Sequence, residues 1–162
     1  MNAIDHLIGE LRREADSTRL AIGRIPSDKL SWKPHPRSMS LGQLALHAAN
    51  VPGGIARLLD QPISEDPIVP LPEPTSLEEI YEALERSLDE AEKSLRAWGE
   101  SGLREAWKLV NKGEPVLEAP RIDMARTFMF NHVYHHRGQM TVYLRLLDIP
   151  VPGLYGPSAD EG

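Results

Sequence analysis

Apolar residues recur along this chain at alternating spacings of three and four, the repeat that lays one stripe along an α-helix. Ile4, Ile8, Leu11, Ala15, Thr18, Ile22 and Ile25 form the first stripe, and Pro26, which cannot extend a helix, closes it. A second helix opens at Ser40, which forms a capping-box pattern with Gln43, and carries Leu41, Leu44, Ala48, Val51, Ile55 and Leu58. Within it Pro52 removes a backbone donor and crowds the Ala48 carbonyl, and Gly53 and Gly54 follow, so a kink or local break is expected there. Ser76 with Glu79 caps a third helix carrying Leu77, Tyr81, Leu84, Leu88, Ala91, Leu95 and Trp98 and ending near Gly99. A fourth begins around Pro120 and runs to about Asp148. Its stripe is Ile122, Ala125, Met129, His132, His136, Gln139 and Tyr143, and Pro150 and Pro152 forbid its continuation.

The connections are less regular. From Gln61 to Pro74 the chain carries Pro62, Pro67, Pro70, Pro72 and Pro74, which excludes a helix and reads as a crossover too proline-rich for a sheet. Gly102 to Ala119 is a second long connection. Its pieces Trp107-Lys108-Leu109-Val110 and Pro115-Val116-Leu117, around Asn111-Lys112-Gly113-Glu114, suit either a short hairpin or a loop with its apolar side chains tucked under it, and no strand is assigned. Four helices that must bury one stripe each predict an all-α four-helix bundle with a long crossover connection. The length of 162 residues fits one domain over 1–162.

Composition narrows the function. With 41% hydrophobic and 26% charged residues, and no apolar run of about eighteen, no membrane span is expected. A net charge of −6 without a basic cluster interleaved with aromatics argues against nucleic acid and leaves small molecules as the expected partners. The absence of cysteine excludes disulfides and thiolate ligands. The start Met1-Asn2-Ala3-Ile4-Asp5-His6 lacks the basic and apolar regions of a secretory signal, so a cytoplasmic location is expected.

Two members of the fourth stripe are imidazoles. At about 100° per residue, His132 and His136 lie about 40° apart on the helix, so both rings can converge on one metal ion. His135 lies about 60° from His132 on the other side, facing a neighbouring helix or solvent, and a His132 and His135 pair is the alternative. A third ligand must come from another helix. His47 is the best candidate, three residues after Leu44 and four before Val51, beside the second stripe. Packed helix axes lie about 8–10 Å apart, a gap that facing imidazoles can close around an ion. His6, near a helix start, and His35, between two prolines, are expected to be exposed. An H-x-x-x-H spacing also arises by chance, and a lone core histidine is ordinarily just hydrogen-bonded. Three core-facing imidazoles without a buried carboxylate network are harder to satisfy without a metal. No H-E-x-x-H, Glu-x-x-His pair, G-x-S-x-G, P-loop or G-x-G-x-x-G pattern offers a competing chemistry.

The segments Leu30-Ser31-Trp32-Lys33-Pro34 and Ser38-Met39-Ser40-Leu41-Gly42-Gln43-Leu44-Ala45-Leu46-His47 resemble the loop and second helix of the DinB/YfiT-like family. Asn131-His132 through His135-His136-Arg137-Gly138-Gln139, continued by Val142-Tyr143-Leu144-Arg145, resembles that family's fourth-helix signature, and Tyr155-Gly156-Pro157-Ser158-Ala159-Asp160 resembles the tail of one branch. The resemblance spans most of the chain. It implies a cytoplasmic four-helix bundle in which His47, His132 and His136 hold one divalent metal ion, commonly zinc or nickel, with positions left for water or substrate. Nitrogen ligands by themselves suit zinc, nickel, iron and cobalt alike. The resemblance further implies an enzyme, either a transferase activating a low-molecular-weight thiol such as bacillithiol, mycothiol or glutathione, or a hydrolase activating water, and a homodimer. The competing class is a non-catalytic binding or structural module pinned by its metal.

Supporting residues follow from position. Gln139, three after His136, is placed to bond it, and Tyr143 continues the stripe as core packing. Arg137 is expected either to anchor an anionic cosubstrate or to pair on the surface, and Asn131 to bond across helices. Trp32 is expected at the pocket mouth or as a plug at the bundle end, and Asp160 and Glu161 as solvent-exposed tail charges.

Overall fold

In the computed structural model, which describes residues 2–67 and 69–161, all four stripes become helices. They are α1 (Ala3–Ile22), α2 (Leu41–Asp60), α3 (Leu77–Arg104) and a composite fourth helix built from α4 (Arg121–Met124), a π-helical stretch (Ala125–Asn131) and α5 (His132–Leu146). The capping residues act as their chemistry requires. Asn2 accepts from the Asp5 N–H, and Ser40 and Gln43 exchange both bonds of a capping box at 3.0 Å each. In α3 the chain leaves helical geometry at Gly99, where φ is 58°, and makes one more turn to Arg104.

The expected break at Pro52 does not occur, and α2 continues to Asp60. Packing against α3 satisfies the next backbone donor after the proline. The Gly53 N–H donates to the buried Ser87 hydroxyl at 2.7 Å, and a Cβ on Gly53 would lie 2.8 Å from Ser87 Cα, so only glycine allows this approach.

The second connection takes its hairpin alternative, and the first differs from expectation by adding a strand to it, giving a small sheet of order β1-β2-β3. β1 (Ile63–Glu65) pairs parallel with β2 (Ala106–Asn111), which pairs antiparallel with β3 (Glu114–Pro120). Proline density did not forbid β1, because Pro62 and Pro67 flank the strand and Pro62 contributes only its carbonyl, to the Lys108 N–H. Lys112 and Gly113, with φ of 51° and 81°, form the tight turn between β2 and β3. Trp107 is fully buried from this sheet among Leu59, Met124 and Ala125. Buried Arg121 gathers the carbonyls of Leu59 and Gly102 at the ends of α2 and α3 and pairs with Glu105.

The core divides along the bundle. One cluster gathers Ile22, Leu41, Leu44, Ile80, Leu84, Met140 and Leu144, and a second gathers Leu7, Leu11, Ala56, Leu95, Met129 and Phe130. On the fourth helix, His132 and His136 fall between them. The buried line of α5 is Val133, His136, Arg137, Met140 and Leu144, one position round from the predicted stripe. The wider π turn upstream shifts the register of everything after it. Gln139 and Tyr143 therefore sit at the margin of the core, partly buried.

Arg137 is neither a surface partner nor a free anion anchor. It is 1% exposed and bonds to the Glu14 carbonyl, the Glu14 carboxylate, the Thr18 hydroxyl and the Tyr155 hydroxyl, tying α5 to α1 and to the C-terminal segment. Asp160 and Glu161 are exposed, as expected, and engaged as well. Asp160 pairs with Arg145 and caps the Val151 N–H, while Glu161 accepts from Gly153. Trp32 packs edge-on against Tyr143 at 5.7 Å between ring centres, closing one end of the bundle. Replacing Arg137 by methionine leaves the partly buried Glu14 carboxylate unpaired, and is expected to cost about 3 kcal/mol in urea unfolding.

Candidate metal centre

His47 projects from the middle of α2, and His132 and His136 from the first turns of α5, which packs on it. One ligand-capable atom from each lies within 4.8 Å of the others. The Nε2 atoms of His47 and His132 approach to 3.4 Å. That is long for a hydrogen bond. It matches the roughly 3.3 Å between two nitrogens that share a metal at about 2.0–2.1 Å with near-tetrahedral angles. The ring centres of His136 lie 4.6 Å from His47 and 4.5 Å from His132, completing a three-sided cluster.

His136 shows what the cluster lacks. Its Nδ1 sits 2.8 Å from Gln139 Oε1. An amide oxygen can only accept, so Nδ1 carries the proton and Nε2 presents its lone pair. That Nε2 is buried and has no hydrogen-bond partner among the described residues. A buried acceptor without a donor is costly unless a cation meets it.

Electrostatics point the same way. Burial, with the nearby imidazoles adding to it, lowers the pKa of His136 to about 4 against the bond to Gln139. Burial and His132 lower that of His47. Burial also lowers that of His132, opposed by the Phe128 carbonyl. The site therefore holds three neutral imidazoles, the form that ligates metals. No carboxylate joins them among the described residues.

The other histidines lie elsewhere. His6 and His35 are exposed. His135 is exposed with its ring 5.0 Å from that of His136, and Asn131 is exposed rather than bonded across helices. The Phe128 carbonyl that bonds His132 was invisible to the sequence, because a backbone group leaves no mark in residue type.

A cavity of about 380 Å³ opens beside the cluster between α2 and the crossover, with His47 and His132 in its wall. The crossover is held over it at both ends. Ser64 donates to the Leu58 carbonyl at 2.6 Å, Gln43 to the Leu71 carbonyl at 2.7 Å, and Ser40 to Glu73 at 2.6 Å. No helix among the described residues is long and apolar enough to cross a membrane.

Known proteins resemble the chain throughout its length. The sequence model of the DinB family matches residues 1–162. The uncharacterised protein YrdA of Bacillus subtilis (strain 168) is 27% identical over 159 residues, 98% of this chain and 91% of that protein. A crystal structure of a DinB-like protein from Bacillus cereus ATCC 10987 superposes with a TM-score of 0.71 at 24% identity, over 91% of this chain and 94% of that one. The DinB-like protein YjoA of Bacillus subtilis gives 0.70 at 16% identity, over 97% of this chain and 100% of that one, so both likenesses speak to the fold.

The depressed histidine pKa values make a prediction for the metal-free protein. Unfolded imidazoles bind protons near pH 6.5 while the folded ones resist, so the unfolded state gains protons first as pH falls. Stability measured by urea unfolding in chelator is expected to be level above about pH 6.5 and to decline toward pH 4, and His136→Leu should flatten part of that slope.

Proposed function

The chain belongs to the DinB family, and from the three imidazoles it gathers we propose that it is a metal-dependent enzyme whose His47, His132 and His136 hold one divalent ion. The observation that carries this reading is His136 Nε2, a buried lone pair aimed into the cluster with no donor to meet it. Gln139 supports it by fixing the tautomer, and the 3.4 Å approach of two further Nε2 atoms suits two ligands of one ion. Nitrogen donors favour zinc or nickel, with iron or cobalt also compatible, over magnesium or calcium.

Bound there, such an ion supplies Lewis acidity that lowers the pKa of a water or thiol. Three neutral ligands leave its positive charge uncompensated, which favours holding hydroxide or thiolate. The chain has no cysteine, so a thiol must arrive as cosubstrate. A cavity against His47 and His132 favours the catalytic reading over a closed structural site.

Elemental analysis of untagged protein, purified without added metal, tests the centre. The wild type should carry about one ion per chain. His47→Ala, His132→Ala and His136→Ala should each lose it, while His135→Ala keeps it; unchanged metal in the first three would sink the reading. Gln139→Ala should retain the ion with affinity lowered about ten- to a hundredfold, read by competition with a chromogenic chelator. Apo and reloaded protein screened with low-molecular-weight thiols plus electrophiles, and with esters and amides, should show metal-dependent turnover in one of the two assays.

A further inference from the structure

Gly53 and Gly54 follow one another inside α2, where glycine is the poorest helix former after proline. Contact with Ser87 explains the first. It does not explain the second, because a Cβ on Gly54 would meet only the Arg57 guanidinium, at 4.0 Å. Gly54 lies in the wall of the cavity beneath the crossover, so the space its missing side chain leaves is cavity space.

The rest of the wall defines what fits. Leu46, Val51, Ile55 and Leu58 of α2 face Val69 and Leu71 of the crossover. No carboxylate lines the cavity among the described residues, and its one charged side chain, Arg57, is already paired with Glu90. Gln43 is engaged with the Leu71 carbonyl and the Ser40 N–H. The remaining polar groups are gathered near one end, the imidazoles of His47 and His132 with Asn50, whose amide nitrogen bonds the Leu46 carbonyl. An anion lying along the apolar stretch from Leu46 to Leu58 would lose its hydration without gaining a partner there, whereas an apolar body loses nothing of the kind.

We propose that this cavity binds an uncharged, largely apolar organic substrate of roughly ten to fifteen non-hydrogen atoms, its polar reacting group directed at His47 and His132, and that Gly54 keeps the space open for it. The identity of the reacting end rests on the metal-centre reading above. The size and polarity of the substrate rest on the walls alone.

Phenylbutanamide and phenylbutanoate, alike in shape and different in charge, are suitable probes, titrated by backbone amide NMR against the full chain, zinc-loaded and chelator-treated. In the chelator-treated protein the amide should shift Leu46, Val51, Ile55 and Val69 and bind at least about tenfold more tightly than the carboxylate. Gly54→Leu places its Cβ no nearer than 4.0 Å to any neighbour, directs its side chain into the cavity wall and removes a helix glycine. It should weaken the amide at least about tenfold in both forms, with metal content and thermal midpoint no lower than wild type. Equal binding of the two probes, or undiminished amide binding by Gly54→Leu, would overturn the proposal. So would a protein that holds zinc through its three histidines yet shows no shift at these residues. Amide binding that Gly54→Leu abolishes, in a protein whose histidine variants leave metal content unchanged, supports the cavity while refuting the metal centre.

Discussion

Everything in the bundle's middle is arranged around one unfavourable demand, the gathering of three partly or fully buried imidazoles whose nitrogens face one another. Apolar side chains at those positions would pack α2 against α5 with no polar group to satisfy. The chain instead interrupts its core there, with Met129 and Phe130 on one side and Met140 and Leu144 on the other. His136 is held at 7% exposure with a protonated Nδ1 and a bare Nε2. Such a gap persists only if the surrounding packing is firm enough to forbid relaxation.

That firmness comes from contacts remote from the histidines. Arg137, next in sequence to His136, points the other way and is locked to Glu14, Thr18 and Tyr155. Glu10 similarly takes bonds from Arg126 and Tyr134; although burial opposes it, these bonds hold its carboxyl below the ordinary range. The face of α5 opposite the imidazoles is thus tied to α1, which sets the rotation of the helix. The capping box of α2 does related work, since Ser40 and Gln43 both start the helix and tether the crossover that roofs the cavity.

Much of this was legible in the residues. The helix starts at Ser40 and Ser76 follow from local hydrogen-bond chemistry, and the gathering of His47 with His132 and His136 follows from helical angles and stripe position. The hairpin of β2 and β3 was legible as one of two alternatives, whereas β1 was not, because it is three residues long and its pairing with β2 joins segments far apart in sequence. Arg137 was misplaced for a related reason. Nothing in its own neighbourhood signals that Glu14 and Tyr155 converge on it. Pro52 does not break α2, whose next residue, Gly53, packs tightly on α3 and donates to Ser87, a contact that lies outside the local sequence.

The π-helical stretch Ala125–Asn131 behaves like an adjustable coupling between two shafts. Upstream of it, Arg121 and Met124 are aligned to the sheet and to the ends of α2 and α3; downstream, α5 is aligned to α1 and to His47. The two alignments need not agree, because the wide turn absorbs the difference. Shortening the coupling by one residue would turn α5 by about 100° relative to α4, carrying both imidazoles off their common centre with every side chain of the site still encoded. The coordinates of this centre are therefore written in the length of a segment that supplies none of its ligands.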